Sequence, residues 1–180
     1  MKQDFKEIIE IPDGIQVTAE KEVVIKGPKG ELKRDFTYPG ISTKVEGKEI
    51  KIIAKQATKR EKKLIYTYKA HINNMLKGVQ EPWIYKLKVC ASHFPMNVSV
   101  SGKEFIVKNF LGEKVPRKLL IKEGVTVKVD GKDVTIESID KELAGNTASE
   151  IELLTVVRGR DLRVFQDGIY ITEKAGKPIK

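Results

Sequence analysis

The chain has 180 residues, with 34 Lys and Arg against 25 Asp and Glu and a formal net charge of +9. One cysteine and two histidines exclude an internal disulfide framework and leave too few soft ligands for a structural zinc site. No apolar run approaches the ~20 residues of a membrane-spanning helix, and Met1–Glu7 lacks the apolar stretch of a secretory signal, so a cytosolic protein with a polyanionic partner is expected.

In chain order, the first signals are turns. Thr18-Ala-Glu-Lys-Glu-Val23 is placed as a hairpin without glycine, and Gly27-Pro-Lys-Gly30 reads as a second turn. Val45-Glu-Gly-Lys-Glu-Ile50 puts a glycine between short apolar runs, where its positive φ closes a tight hairpin. Thr58 with Glu61 forms a capping box that opens a helix. Leu64, Ile65, Tyr68, Ile72 and Met75 recur at helical spacing, and Gly78 is read as the stop. Glu81-Pro82 marks a domain boundary. Two more glycine hairpins follow, Val100–Phe105 and Val129–Val134. A second helix is expected from about Asp140, burying Leu143, Thr147, Ala148, Ile151 and Leu154 despite the cost of Gly145.

These elements repeat. Lys44-Val-Glu-Gly-Lys-Glu-Ile-Lys-Ile52 returns 84 residues later as Lys128-Val-Asp-Gly-Lys-Asp-Val-Thr-Ile136, with five of nine positions identical. Lys21–Lys26 matches Lys103–Lys108, and Gly30-Glu31 matches Gly112-Glu113, both at an offset of 82. A period this long means a duplicated domain. The expected fold is α+β: a tandem duplication of a small antiparallel β-sheet packed with one α-helix, residues 1–81 and 82–180. The copies differ in charge. Residues 55–77 hold seven Lys and Arg with one acid, whereas residues 137–152 hold five acids and one base.

Catalysis finds little support. Gly47-Lys48, Gly102-Lys103 and Gly131-Lys132 are each followed by an acid, and no glycine stands where a phosphate loop requires one. His71 and His93 lie far apart in the chain, and Cys90 reads as a small buried residue. No catalytic residue, metal ligand or cofactor is expected. The basic loops are the stronger lead, because guanidinium forks suit phosphate oxygens. They comprise Ser92–Asn97, Asn109–Lys118, Arg158-Gly-Arg-Asp-Leu-Arg163 and a tail carrying Lys174, Lys177 and Lys180. Asp161 and Asp167 are read as braces for the arginine-bearing loop. Phe94, Phe110, Phe165 and Tyr170 are read as core or loop anchors.

Three stretches carry a resemblance. They are Ile11-Pro-Asp-Gly-Ile15 leading to Val24–Leu32; His93-Phe-Pro-Met-Asn-Val98 with Asn109–Lys114; and Gly145-Asn-Thr-Ala-Ser-Glu-Ile151 with Gly159–Ile171. Together they resemble the L-six family of large-ribosomal-subunit proteins. The third stretch is similar to the archaeal and eukaryotic branch, and the Pro-Glu-Pro-Tyr-type ending of bacterial members is absent. The resemblance implies large-subunit rRNA as partner, near the stalk base and the sarcin-ricin region. It also implies neighbouring ribosomal proteins there, translation factors as further candidates, and the second domain as the main RNA-binding one. The expected RNA-binding residues are Lys88, His93, Lys114, Arg117, Lys118, Arg158, Arg160, Arg163, Lys174 and Lys177. No membrane or small-molecule substrate is expected. The competing readings are a protein-interaction module that uses its hairpin edges, and a transferase or hydrolase with a site between the halves.

Overall fold

Glycine–lysine turns set the frame of the molecule. Gly47, Gly102 and Gly131 lie at φ of 62°, 60° and 59°, each at the first of two central positions, as in type II′ hairpins. The structure, a computed structural model, describes residues 3–19 and 22–179. The chain divides into two compact units, Met1–Pro82 and Trp83–Lys180.

In the first unit, strands Gln3–Glu10 (β1), Gln16–Ala19 (β2), Glu22–Gly27 (β3), Gly30–Asp35 (β4), Ile41–Glu46 (β5) and Glu49–Ala57 (β6) precede the helix Lys59–Gln80 (α1). They form two antiparallel sheets, β1-β6-β5 and β2-β3-β4. Alternation puts Ile50, Ile52 and Ala54 of β6 in the core. A bulge at Lys55 and Gln56 then breaks the register, with Gln56 at φ 50° and its N–H donated to Asp4 at 2.8 Å. The expected hairpin at Thr18–Val23 includes residues 20 and 21, which lie outside the described residues. On either side of it β2 and β3 pair, Ala19 opposite Val23.

The capping box of α1 is present, with Thr58 N–H donating to Glu61 at 2.8 Å. Ile65, Ile72, Met75, Leu76 and Val79 are buried beneath it. Gly78 does not stop the helix. It is buried within the last turn, and α1 continues to Gln80 because Val79 packs on the β3–β4 hairpin. Lys29 N–H donates to Val79 O at 3.1 Å, and Gly27 leaves the room for that approach. A Cβ there would lie 2.7 Å from Val79 Cγ2 and 2.9 Å from Val79 O. The Gly-Pro-Lys-Gly motif is therefore a turn whose first glycine seats a helix end. Pro82, which disfavours helical geometry at the residue before it, ends the run.

The second unit contains Trp83–Cys90 (β7), Asn97–Ser101 (β8), Glu104–Lys108 (β9), Arg117–Leu120 (β10), Val125–Asp130 (β11) and Asp133–Ser138 (β12). The helix Lys141–Leu154 (α2) follows, then Gly168–Lys174 (β13) and Lys177–Pro178 (β14). Its topology repeats the first unit. The order β7-β12-β11 mirrors β1-β6-β5, and β8-β9-β10 mirrors β2-β3-β4. Each unit thus splits its hairpins between two sheets. Two differences matter. First, β13 and β14 extend the larger sheet beyond β7 to five strands. Second, the tight turn between β3 and β4 is replaced between β9 and β10 by a longer loop, residues 109–116. That loop is shaped by a short 3-10 turn at Phe110–Gly112 with Asn109 and Leu111 at positive φ.

Asp140 caps α2 by accepting the Glu142 N–H at 2.8 Å. Ala144, Thr147, Ala148 and Ile151 face the sheet. The expected stripe is turned by about one residue, since Leu143 and Leu154 are only half-buried. The reason is Tyr85, a buried strand residue whose hydroxyl would lie 3.2 Å from a Cβ at position 145. Gly145 admits that ring, and small residues then line the contact. Residues 175–178, which give no strand signal, turn back through Ala175 (φ 51°) and Gly176 (φ 78°) into β14.

Replacing Gly27 with Ala should force the last turn of α1 away from the hairpin. A loss of about 1–3 kcal/mol is expected, measured as a lower urea midpoint with the far-ultraviolet helix signal retained.

Candidate nucleic-acid interface

Three connections of the second unit are tied to one another: residues 91–96 between β7 and β8, residues 109–116 between β9 and β10, and residues 155–167 between α2 and β13. The strongest tie is Asp167, only 3% exposed. Its carboxylate accepts the backbone N–H of Ser92 and, at 3.1 Å, that of His93. It also accepts from His93 Nδ1 at 2.6 Å. The imidazole stacks on Phe165 with ring centres 4.5 Å apart, and the Arg160 guanidinium lies 4.7 Å over the same Phe165 ring. Three side chains from two loops, Arg160, His93 and Phe165, thus gather around the Phe165 ring beside a buried carboxylate.

The remaining ties complete a triangle. Asn109 donates to Pro95 O at 2.9 Å, and the Phe94 ring lies against Gly112, joining the first two loops. Arg117 joins the second and third. Its Nε and Nη2 grip Glu113 at 2.8 and 2.6 Å. Nη1 donates to Leu154 O at 2.7 Å, and the guanidinium lies 4.3 Å over Phe110. Leu154 is the last residue of α2, so Arg117 satisfies a terminal carbonyl that the helix cannot. The Arg117 guanidinium holds the Glu113 carboxyl below its ordinary value, and the nearby charge of Arg160 adds to that.

The ten expected binding residues separate into groups. Lys114, Arg158 and Arg160 are exposed on the loops and make no ion pair among the described residues. The His93 side chain is 31% exposed, with Nδ1 bound to Asp167, leaving Nε2 as its remaining polar atom. That nitrogen accepts from a hydroxyl when the ring is neutral and donates when it is protonated. Lys118 and Arg163 lie at the surface in exposed pairs, with Glu104 at 3.0 Å and Asp161 at 2.8 Å. Exposed pairs of this kind contribute little and exchange readily for another anion. Arg117 is placed differently: its donors hold Glu113 and the end of α2, so it braces the surface from within. Lys88 stands on the outer face of β7 opposite Tyr170. Lys174 and Lys177 pair across the β13–β14 hairpin, at the other end of β13 from the loops and roughly 20 Å away by strand rise. The structure does not bring these two into the cluster.

The aspartates divide the bracing. Asp161 folds its own loop, accepting the Arg163 N–H at 3.0 Å and the Arg163 guanidinium, which holds its carboxyl below the ordinary value. Asp167 instead pins the Ser92–His93 loop. Of the aromatic residues, Phe110 is core (1% exposed) and Phe94 is nearly half exposed. Tyr170 donates its hydroxyl to Gln166 O at 3.2 Å. The part played by Phe165, whose ring meets both His93 and Arg160, has no local sequence signal, because its partner His93 is remote in the chain.

Among the described residues no group of three metal-ligating side chains gathers, and no helix is long and apolar enough to cross a membrane.

Comparison with known proteins adds two findings. The family model described as Ribosomal protein L6 matches residues 11–82 and again residues 94–168. The chain is 47% identical over 176 residues, 97% of each chain, to the "Large ribosomal subunit protein uL6" of Methanococcus vannielii.

Burial pushes the Asp167 carboxyl up, but the His93 and Ser92 donors outweigh it and leave it below the usual carboxylate range. A folded value below the unfolded one means the clamp contributes fully above about pH 4. That contribution fades as pH falls through the folded value. Asp167→Asn should therefore lower the urea midpoint at neutral pH by the equivalent of about 1–3 kcal/mol. The gap to the parent chain should narrow on acidification.

Proposed function

We propose, because this chain belongs to the ribosomal protein L6 family, that it is a structural protein of the large ribosomal subunit which grips rRNA through the three-loop surface of its second unit. It is not an enzyme, and it works as part of the ribosome. The observation that carries the reading is the set of cations Lys114, Arg158 and Arg160, which make no ion pair among the described residues, on loops locked together by Asp167, Asn109 and Arg117. Preorganised loops lose little entropy on binding. Double-helical RNA presents phosphates and 2′-hydroxyls across a shallow minor groove, so a rigid surface can recognise its shape. Lysines and arginines supply affinity by releasing counterions. His93 Nε2 and the edge of the Arg160–Phe165 stack offer the polar contacts that a 2′-hydroxyl or a phosphate requires.

We assign the RNA to the neighbourhood of the stalk base and the sarcin-ricin region, with the ribosomal proteins there as neighbours and translation factors within reach. The resemblance of Gly145–Ile151 and Gly159–Ile171 to the family supports this assignment. Lys88, Lys118 and Arg163 extend the surface, the last two after exchanging their carboxylate partners for phosphates. Lys174 and Lys177 reach a separate stretch of backbone.

The test is equilibrium binding of the full chain to large-subunit particles stripped of it, across a salt series. Replacing Lys114, Arg158 and Arg160 together with Ala should flatten the log-affinity against log-salt slope by about 2–3. Arg117→Ala should instead lower the unfolding midpoint and leave the slope nearly unchanged. An unaltered slope in the triple variant, or a complex that survives nuclease digestion intact, overturns the reading.

A further inference from the structure

The two helices occupy equivalent places in the duplicated topology, and their solvent faces have diverged. On α1, Lys59, Lys63, Tyr66, Ala70 and Lys77 recur at intervals of three, four or seven residues and are all exposed, forming one stripe opposite the buried Ile65, Ile72 and Val79. At 1.5 Å per residue the stripe is about 27 Å long. Arg60 and Lys62 flank it, over Tyr38 at 5.7 Å and Phe5 at 5.4 Å. Tyr66, more than half exposed, meets Phe5 edge-on at 5.6 Å.

The nearby acids are already engaged. Glu61 closes the capping box, Glu7 pairs with Lys69 at 2.5 Å, and Asp4 accepts the Gln56 N–H. Among the described residues Lys59, Lys62, Lys63 and Lys77 have no carboxylate partner, and Arg60 acts on Glu61 by its charge without a direct ion pair. The corresponding face of α2 shows Asn146, Ser149 and Leu153, with Glu150 paired to Lys122 at 2.5 Å. Self-repulsion among the four cations gathered at residues 59–63 is unfavourable in the free protein. An anionic partner of comparable length relieves it.

We propose that the outer face of α1 is a second RNA-binding surface, laid along the phosphate backbone of an rRNA segment separate from the one held by the three-loop surface. The proposal takes its partner class from the ribosomal reading above. Charge complementarity selects the occupant. The stripe and its flanks offer four cations within residues 59–63, a fifth at Lys77 and the exposed Tyr66 ring between them, which suits a polyphosphate strand and lacks the apolar centre of a protein interface.

The experiment places a photoreactive side chain at Lys63, at Ala70 or at Arg160 of the full chain, assembled into large-subunit particles, and maps the adducts after irradiation. Crosslinks from positions 63 and 70 to rRNA nucleotides different from those reached from position 160 are expected. In the salt series above, Lys59→Gln, Lys63→Gln and Lys77→Gln combined should flatten the slope by about 2–3. Adducts from positions 63 and 70 that fall only on protein, or fail to form while position 160 marks RNA, overturn this proposal and leave the three-loop reading standing. Adducts to RNA from 63 and 70 with none from 160 overturn the three-loop reading instead.

Discussion

A buried carboxylate between two loops is the constraint on which the three-loop surface rests. Asp167 lies at the entrance to β13, and the N–H groups of Ser92 and His93 point at it from the end of β7. An unpaired charge at such depth costs far more than its hydrogen bonds contribute, so the pairing is close to obligatory. Through it the imidazole acquires one orientation, Phe165 acquires a partner to stack on, and Arg160 acquires a ring to lie against. Remove the acid and each of these groups keeps its chemistry but loses its place.

Duplication followed by divergence explains how one scaffold carries two kinds of surface. The shared topology fixes where hairpins and helices stand, which leaves their solvent sides free to change. The second copy lengthened one connection, residues 109–116, and gained β13 and β14; the first kept the tight Gly27–Gly30 turn and seated α1 on it. In the second unit Arg117, Lys118 and Lys128 are neutralised by Glu113, Glu104 and Glu137. On α1, Lys69 pairs with Glu7, whereas Lys59, Lys62, Lys63 and Lys77 have no carboxylate partner among the described residues. Formal charge is thus a poor guide to where a polyanion lands, and the useful quantity is charge without an intramolecular partner.

Much of the architecture was legible because it depends on local chemistry. Glycine hairpins, the Thr58–Glu61 box and the Asp140 cap follow from residues within a few positions of one another. Gly78 misled because its environment is set by Val79 against a distant hairpin, and the stripe of α2 turned because Tyr85, remote in sequence, needed room beside Gly145. The site was harder. Lys114, Arg158 and Arg160 stand out as exposed cations in any reading, but the position of Arg117 beneath the surface depends on where α2 ends. The Asp167–His93 clamp spans 74 residues, and no spacing rule reaches that far. Lys174 and Lys177 were grouped with the arginines by proximity in the chain, whereas strand length carries them away in space.

The placement of β13 has a consequence for the order in which the molecule matures. The strand that brings Asp167 under the loops pairs with β7, which emerges some eighty residues earlier. A nascent chain can complete its first unit while the second is still being translated. It cannot assemble the loop surface until β13 has left the ribosome that is making it. Closure of the three loops therefore waits on a strand made long after its partner.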